Sequence, residues 1–111
     1  MIVSKEFISL HGVGSYDKCQ KLLKSMHSEL RRLTDEKLII GSAIQLFASV
    51  EEIEDEALDP KPLIKAVNGI LPFIWVNITY DSERGIEDKL LEFQKQFECV
   101  QTGSIGEDFY S

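Results

Sequence analysis

The stretch FIWVNITY, residues 73–80, carries the strongest secondary-structure signal in the sequence. β-Branched and aromatic residues dominate it, and its side chains fall into two alternating sets. One set comprises Ile74, Val76, Ile78 and Tyr80, and the other comprises Phe73, Trp75, Asn77 and Thr79. A period of two sends these sets to opposite sides of a sheet, so the stretch predicts a β-strand.

Two amphipathic helices are predicted on either side of this strand. Residues 15–33 carry apolar side chains at the i, i+3, i+4, i+7 spacing of one buried stripe, and Ser15 is a suitable N-cap. Residues 83–97 repeat that spacing after Asp81 and Ser82, which suit the start of a helix. Each helix therefore offers one apolar stripe for packing on a sheet.

Three further strands are predicted outside these segments. Residues 2–10 form the first strand, and residues 99–102 form a short last one. Residues 37–50 are rich in β-branched and apolar side chains and favour one long strand with a bulge at Gly41. A hairpin that turns at Gly41 is the alternative, and a helix is the weaker option.

One short helix is predicted between the second and third strands. Pro62 can open a helix, and Gly69 can end it, so residues 62–68 are expected to be helical. The acidic residues 51–62 before it predict a connection. The last residues, 103–111, have no hydrophobic period and predict an irregular tail.

The order of these elements fits a ferredoxin-like fold. With the short helix set aside, the order is βαββαβ, which predicts an antiparallel sheet with both long helices on one face. The sequence thus predicts a single α+β domain over residues 1–111. We expect a two-layer sandwich with a short extra helix between the second and third strands. A chain of 111 residues can bury enough apolar surface to fold without disulfides.

Composition places the chain among ordinary globular proteins, with 43% hydrophobic and 28% charged residues. No apolar run approaches the roughly 18–20 residues needed to cross a bilayer. The first residues lack the basic and apolar regions of a signal peptide. We therefore expect a cytoplasmic protein without membrane association, in which Cys19 and Cys99 remain free thiols.

The formal net charge of −7 is unevenly distributed along the chain. Residues 1–37 carry seven lysines and arginines against five acids, whereas residues 38–111 carry five against fourteen. A field of this sign repels phosphate backbones, so we expect no nucleic-acid binding. The same field would speed encounter with a basic partner.

The densest charge in the sequence is a run of six carboxylates within nine residues. This acidic cluster comprises Glu51, Glu52, Glu54, Asp55, Glu56 and Asp59. Its spacing does not match a calcium loop, which needs oxygen ligands at alternate positions and a central glycine. The cluster is interpreted either as a docking surface for a basic partner or as a solvated connection, and solvated charge runs are commoner.

Phe73 and Trp75 form a second candidate binding surface. One sheet face of a two-layer sandwich is open unless something covers it, and these residue types often anchor protein interfaces. Stacking of RNA bases is disfavoured by the acidic charge. Three alternatives would cover the rings: the short helix, the tail with Phe109 and Tyr110, or a second copy in a homodimer joined through the sheet face.

Motifs for phosphate binding, metal binding and catalysis are incomplete. The loop HGVGS, residues 11–15, lacks the third glycine of the dinucleotide fingerprint and the Gly-Lys-Ser/Thr end of a P-loop. His11 and His27 have no metal-ligand spacing. Cys19 belongs to an apolar stripe, where a thiol reacts poorly. We therefore expect no enzymatic activity, no cofactor and no metal.

These observations favour a non-enzymatic interaction protein. We expect an acidic inhibitor or immunity-type protein that neutralises a basic protein partner, such as a nuclease toxin, through the acidic cluster and the two aromatic residues. One alternative is a small-molecule-binding or enzymatic dimer, whose deep pocket would use His11, Trp75 and Asn77. The other is a subunit of a larger assembly, which would expose an extended apolar patch.

Overall fold

The computed structural model describes residues 1–57 and 60–105 of the chain. These ranges contain four β-strands and four α-helices. Their order is β1 (Ile2–Ser9), α1 (Tyr16–Asp35), β2 (Gly41–Phe47), α2 (Val50–Glu56), α3 (Pro60–Val67), β3 (Phe73–Asp81), α4 (Glu87–Gln96) and β4 (Cys99–Ile105). Among these helices, none has the length and apolar character that a membrane crossing requires.

The four strands form one antiparallel sheet in the order β2-β3-β1-β4. The central strands β1 and β3 pair along all eight residues of β1. β2 pairs with β3 in an unbroken register, whereas the register between β1 and β4 shifts between Glu6 and Phe7. The predicted α+β class is therefore confirmed, with an antiparallel sheet and helices packed on it.

One face of the sheet, which we call the helix face, is closed by α1 and α4. β3 contributes the predicted apolar set to this face, and all four side chains are at most 2% exposed. The helices contribute Cys19, Leu22, Met26, Leu30 and Leu33 from α1, and Leu90 and Phe93 from α4. This layer forms the main hydrophobic core because two long apolar stripes meet an apolar sheet face.

The opposite face of the sheet is covered at one end by α2 and α3. A second cluster joins the sheet to both helices there, and it comprises Ile8, Phe47, Ile53, Leu63, Val67 and Phe73. Outside this cluster the face carries side chains that are half-buried or exposed, namely Ser4, Glu6, Ala43, Gln45, Asn77 and Thr79. We call this second region the open half of the sheet.

The predicted strand over residues 37–50 is too long, because only Gly41–Phe47 is extended. Lys37 adopts φ +61°, in the left-handed region. The N–H of Leu38 then donates to the Leu33 carbonyl at 3.0 Å, which turns the chain at the end of α1. The hydrophobic residues of this turn resemble a strand in their composition, which is why the sequence predicted one. Their backbone instead forms the turn that ends α1.

The acidic connection predicted over residues 51–62 is largely helical instead, so two helices separate β2 from β3. α2 begins after Ser49, whose hydroxyl accepts from the Glu52 N–H at 3.2 Å. The Glu52 carboxylate accepts from the Ala48 N–H at 3.0 Å. These bonds satisfy N–H groups at the start of the helix, where negative charge is also favourable.

The remaining boundaries lie close to the predictions. Ser15 caps α1 by accepting from the Lys18 N–H at 3.4 Å. Gly69 follows α3 with φ +76°, as expected for a glycine that ends a helix. The helix predicted over residues 83–97 starts only at Glu87, after a 3-10 turn that ends at Gly85 with φ +66°.

The last strand is longer than predicted. β4 runs beyond residue 102 to Ile105, so the first three residues of the predicted tail belong to the sheet. The expectation that Phe109 and Tyr110 cover the aromatic face falls outside the described residues.

Candidate interaction surface

α2 carries five of the six carboxylates of the acidic cluster on seven residues. Four of them are exposed: Glu51, Glu54, Asp55 and Glu56. Glu52 is half-buried, and Asp59 lies outside the described residues. Ile53 is fully buried and joins the helix to the second hydrophobic cluster. The helix therefore directs its carboxylates outward around one apolar anchor.

Two carboxylates of α2 are held by hydrogen bonds within the chain. Glu52 accepts from a backbone N–H at the start of the helix, and Glu56 accepts from the side-chain amide of Gln45 on β2. Among the described residues, no carboxylate of α2 forms an ion pair with a lysine, an arginine or a histidine. Glu51, Glu54 and Asp55 therefore keep their oxygens available to an external donor.

Like charges crowd the exposed side of α2. Glu51 and Asp55 are four residues apart, as are Glu52 and Glu56, so each pair lies on one side of the helix. Each such pair destabilises a helix by about 0.2–0.5 kcal/mol. A cationic surface placed against α2 would relieve this repulsion.

Phe73 is buried beneath α2 and α3 and is not presented at the surface. Its exposed fraction is 0%, and its ring stacks on Phe47 with a centroid separation of 5.6 Å. The sequence predicted that a short helix, the tail or a second copy would cover this ring, and the structure shows short helices over it. Phe73 thus supports the acidic helix from below, and a partner would reach it only if the helices moved.

Trp75 is half-buried and lies where the helical cover ends. Its ring meets Phe47 edge-on, with the centroids 6.5 Å apart. Trp75 pairs with Gln45 on β2, and Gln45 in turn binds Glu56 at the end of α2. The indole and the acidic helix are therefore neighbours, joined through one glutamine side chain.

The open half of the sheet is polar. The hydroxyl groups of Ser4 and Thr79 lie 2.8 Å apart across β1 and β3, and Thr79 also donates to the Asn77 amide oxygen at 3.4 Å. Glu6 lies opposite Asn77, next to Gly103 on β4. A Cβ atom at Gly103 would lie 3.4 Å from a carboxylate oxygen of Glu6, so the glycine leaves room for this carboxylate. The open half of the sheet, beside Trp75, thus offers hydrogen-bonding groups and a further negative charge.

Gln45 and Glu6 are surface residues that the sequence analysis missed. Gln45 shares its face with Phe47 two residues later, and Glu6 shares its face with Ile8. The period of two in β1 and β2 is the signal that would have placed them. It was obscured because Lys5 and Glu6 interrupt the alternation of β1.

Three solvent-open depressions lie along α1, away from Trp75 and α2. Their volumes are about 410, 420 and 530 Å³. The largest contains His11, whose Nδ1 lies 3.4 Å from a Glu98 carboxylate oxygen, together with Lys18 and Lys21. None of the three includes Trp75 or Asn77, which were expected to line a ligand pocket with His11.

The histidine, cysteine and carboxylate side chains of the described residues are the groups that could bind a metal or act as a nucleophile. No group of three or more His, Cys, Asp or Glu side chains is arranged there to hold a metal ion. The Cys19 thiol donates to the Gly12 carbonyl at 3.2 Å, and burial raises its pKa. A raised pKa leaves less thiolate at neutral pH, so Cys19 is a poor nucleophile.

No protein-family model matches this sequence, and neither curated proteins nor solved structures show a significant similarity to it.

Proposed function

We propose that this chain is a non-enzymatic binding protein, an acidic inhibitor of the immunity type, that neutralises a basic protein such as a nuclease toxin. The main support for this proposal is the composition of α2, whose five carboxylates have no ion-pair partner among the described residues. α2 lies beside a half-buried tryptophan at the border of an open sheet.

The geometry of this surface suits a partner rich in arginine. Glu51, Glu54 and Asp55 have no hydrogen-bond or ion-pair partner for their carboxylates within residues 1–57 and 60–105, and an arginine can donate two parallel hydrogen bonds to one carboxylate. Trp75 supplies an aromatic anchor beside them, the residue type that most often carries binding energy at interfaces. The open half of the sheet, beside Trp75, offers further hydrogen-bond acceptors and donors. Complementary charge would also accelerate the encounter of the two proteins.

Inhibition follows from the same chemistry. A nuclease binds the phosphate backbone through lysine and arginine side chains. A helix that presents several carboxylates can occupy those cations, and the bulk of the domain then blocks access of the nucleic acid.

The proposal is tested by capture of partners from the native host on the tagged full chain. The α2 variant carries Glu51→Lys, Glu54→Lys and Asp55→Lys. The matched control carries Glu87→Lys, Asp88→Lys and Glu92→Lys on α4, all likewise exposed, so both variants change the net charge equally. Wild type and control should retain a basic protein that the α2 variant loses.

The captured protein provides the second part of the test. The enzymatic activity of the captured protein should fall in proportion to the amount of wild-type chain added. The rate at which the two proteins associate should decrease with rising salt. Retention by the α2 variant, or a captured partner that is not basic, would exclude an electrostatic inhibitor.

We also propose that the fold is ferredoxin-like. The strand order places β3 between β1 and β2, and β1 between β3 and β4, as two split βαβ units would. The packing of α1 and α4 on one face supports this assignment, with α2 and α3 as an insertion after β2. A crystal structure with a left-handed crossover at α1 or α4 would contradict it.

The proposed site of action is the cytoplasm. Cys19 and Cys99 are both free thiols, which is the usual state of cysteine in reducing compartments. Fractionation of native cells should recover the chain with cytoplasmic markers, and recovery with the envelope would contradict this placement.

A further inference from the structure

The two edges of the sheet differ in their regularity. On β4, Glu6 pairs with Gly103 and Phe7 pairs with Gln101, so Thr102 is an extra residue that forms a bulge. On β2, every residue from Gly41 to Phe47 has a partner on β3, in one continuous register. A bulge disrupts an edge for further pairing, so β4 is protected in a way that β2 is not.

The outer side of β2 is open within the described chain. No described strand pairs with it, and its backbone makes no hydrogen bond there outside the sheet ladder. The strand reads GSAIQLF and contains no charged residue and no proline, the residues by which soluble proteins usually protect an edge. Ile40, immediately before it, is 57% exposed, and Ile44 is only half-buried.

We propose that β2 pairs with β2 of a second copy of this chain, antiparallel about a twofold axis near Ile44. The two four-stranded sheets would then form one continuous sheet of eight strands. Each copy supplies the backbone donors and acceptors that the other lacks, which is the basis of strand addition at an open edge. Because β2 is uncharged, such self-pairing brings no like charges together within the strands.

This inference is independent of the proposed inhibitor function. Pairing uses backbone groups at the edge of the sheet, whereas the proposed partner contacts α2 and the open half of one sheet face. A chain could dimerise without an inhibitory partner, or bind such a partner as a monomer.

Sedimentation equilibrium of the full chain over a wide concentration range tests the pairing. Wild type should approach twice the chain mass of 12.6 kDa. The edge variant carries Ser42→Lys and Ala43→Lys, and the control variant carries Val100→Lys and Gln101→Lys on β4. All four positions are exposed. The edge variant should raise the dimer dissociation constant at least about tenfold through repulsion across the twofold axis, and the control should leave it unchanged.

Amide hydrogen exchange of wild type gives a readout that needs no variant. Outward-facing amides of β2 should exchange more slowly at high protein concentration than at low concentration, whereas β4 amides should not change. A chain that stays monomeric at every concentration would overturn the proposal. A dimer that the edge variant leaves intact would also overturn it and would point to the open sheet face.

Discussion

On one face of the sheet, α1 and α4 enclose a cluster of 16 buried residues, whereas on the other face α2 and α3 enclose a cluster of six. The larger cluster spans the whole sheet and both long helices. The smaller one is confined to one end and holds a helix that has a single fully buried side chain, Ile53. The first face therefore supplies most of the stability of the fold, and the second positions negative charge at the surface.

The largest expected effect comes from the helix face. Phe7 is 1% exposed and lies in the larger cluster. Phe7→Ala should lower the free energy of unfolding by about 4 kcal/mol, because it removes a buried ring and leaves a cavity. Urea denaturation measures this loss. A change below about 1 kcal/mol would mean that the helix face is not the main source of stability.

A smaller effect is expected from the sheet face that α2 and α3 cover. Ile53→Ala should cost about 2 kcal/mol, at the low end for such a truncation, because the short helix can settle over the space. The emission of Trp75, the single tryptophan, should shift to longer wavelength as its cover loosens. Amides of α2 should exchange faster, with those of β1 unchanged. Equal acceleration in β1 would show that the two clusters open as one unit.

The N-caps of α1 and α2 allow the stability of the two sheet faces to be compared further. Ser15→Ala and Ser49→Ala each remove a hydroxyl that accepts a backbone N–H, so each should cost about 1 kcal/mol. In α1, with 20 residues, the loss should appear only in global unfolding. In α2, with seven residues, it should appear as local opening seen by amide exchange. Identical exchange behaviour of the two helices would contradict the distinction.

The smallest expected effect concerns Cys99, at the border of the helix face. Burial raises the pKa of its thiol to about 12. The folded-state pKa lies above the unfolded value, so the neutral thiol contributes stability below about pH 8.5. This contribution is lost as the pH rises from there toward the folded pKa. Between about pH 8 and about pH 10, the urea midpoint should fall less in Cys99→Ala than in wild type.

The reactivity of Cys99 provides a control for that prediction. Alkylation of this thiol at about pH 8, followed by peptide mapping, should be at least about 100-fold slower in the folded chain than in urea. Equal rates would mean that water reaches the border of the helix face freely.

Much of the helix face could be predicted from the sequence because local periodicity and tertiary packing agree there. The stripe of α1 and the alternation of β3 each repeat several times, so single exceptions do not obscure them. α2 has one buried residue and no repeat, and its helical state depends on the Ser49 cap and on packing over Phe73. Neither contact is visible in a local pattern.

The candidate site was predictable in part for the same reason. Charge can be read directly from the sequence, so the acidic cluster was found. The burial of Phe73 was not, since alternation assigns a strand residue to a face without revealing what packs on that face. Trp75, two residues later on the same face, is half-buried because the helices end there.

The hydrogen bond between Gln45 and Glu56 is a direct contact between the two proposed surfaces. Gln45 belongs to the edge strand and Glu56 to the acidic helix. Whatever change edge pairing makes in the affinity of α2 for a partner, thermodynamic linkage requires the bound partner to change the affinity of pairing by the same factor.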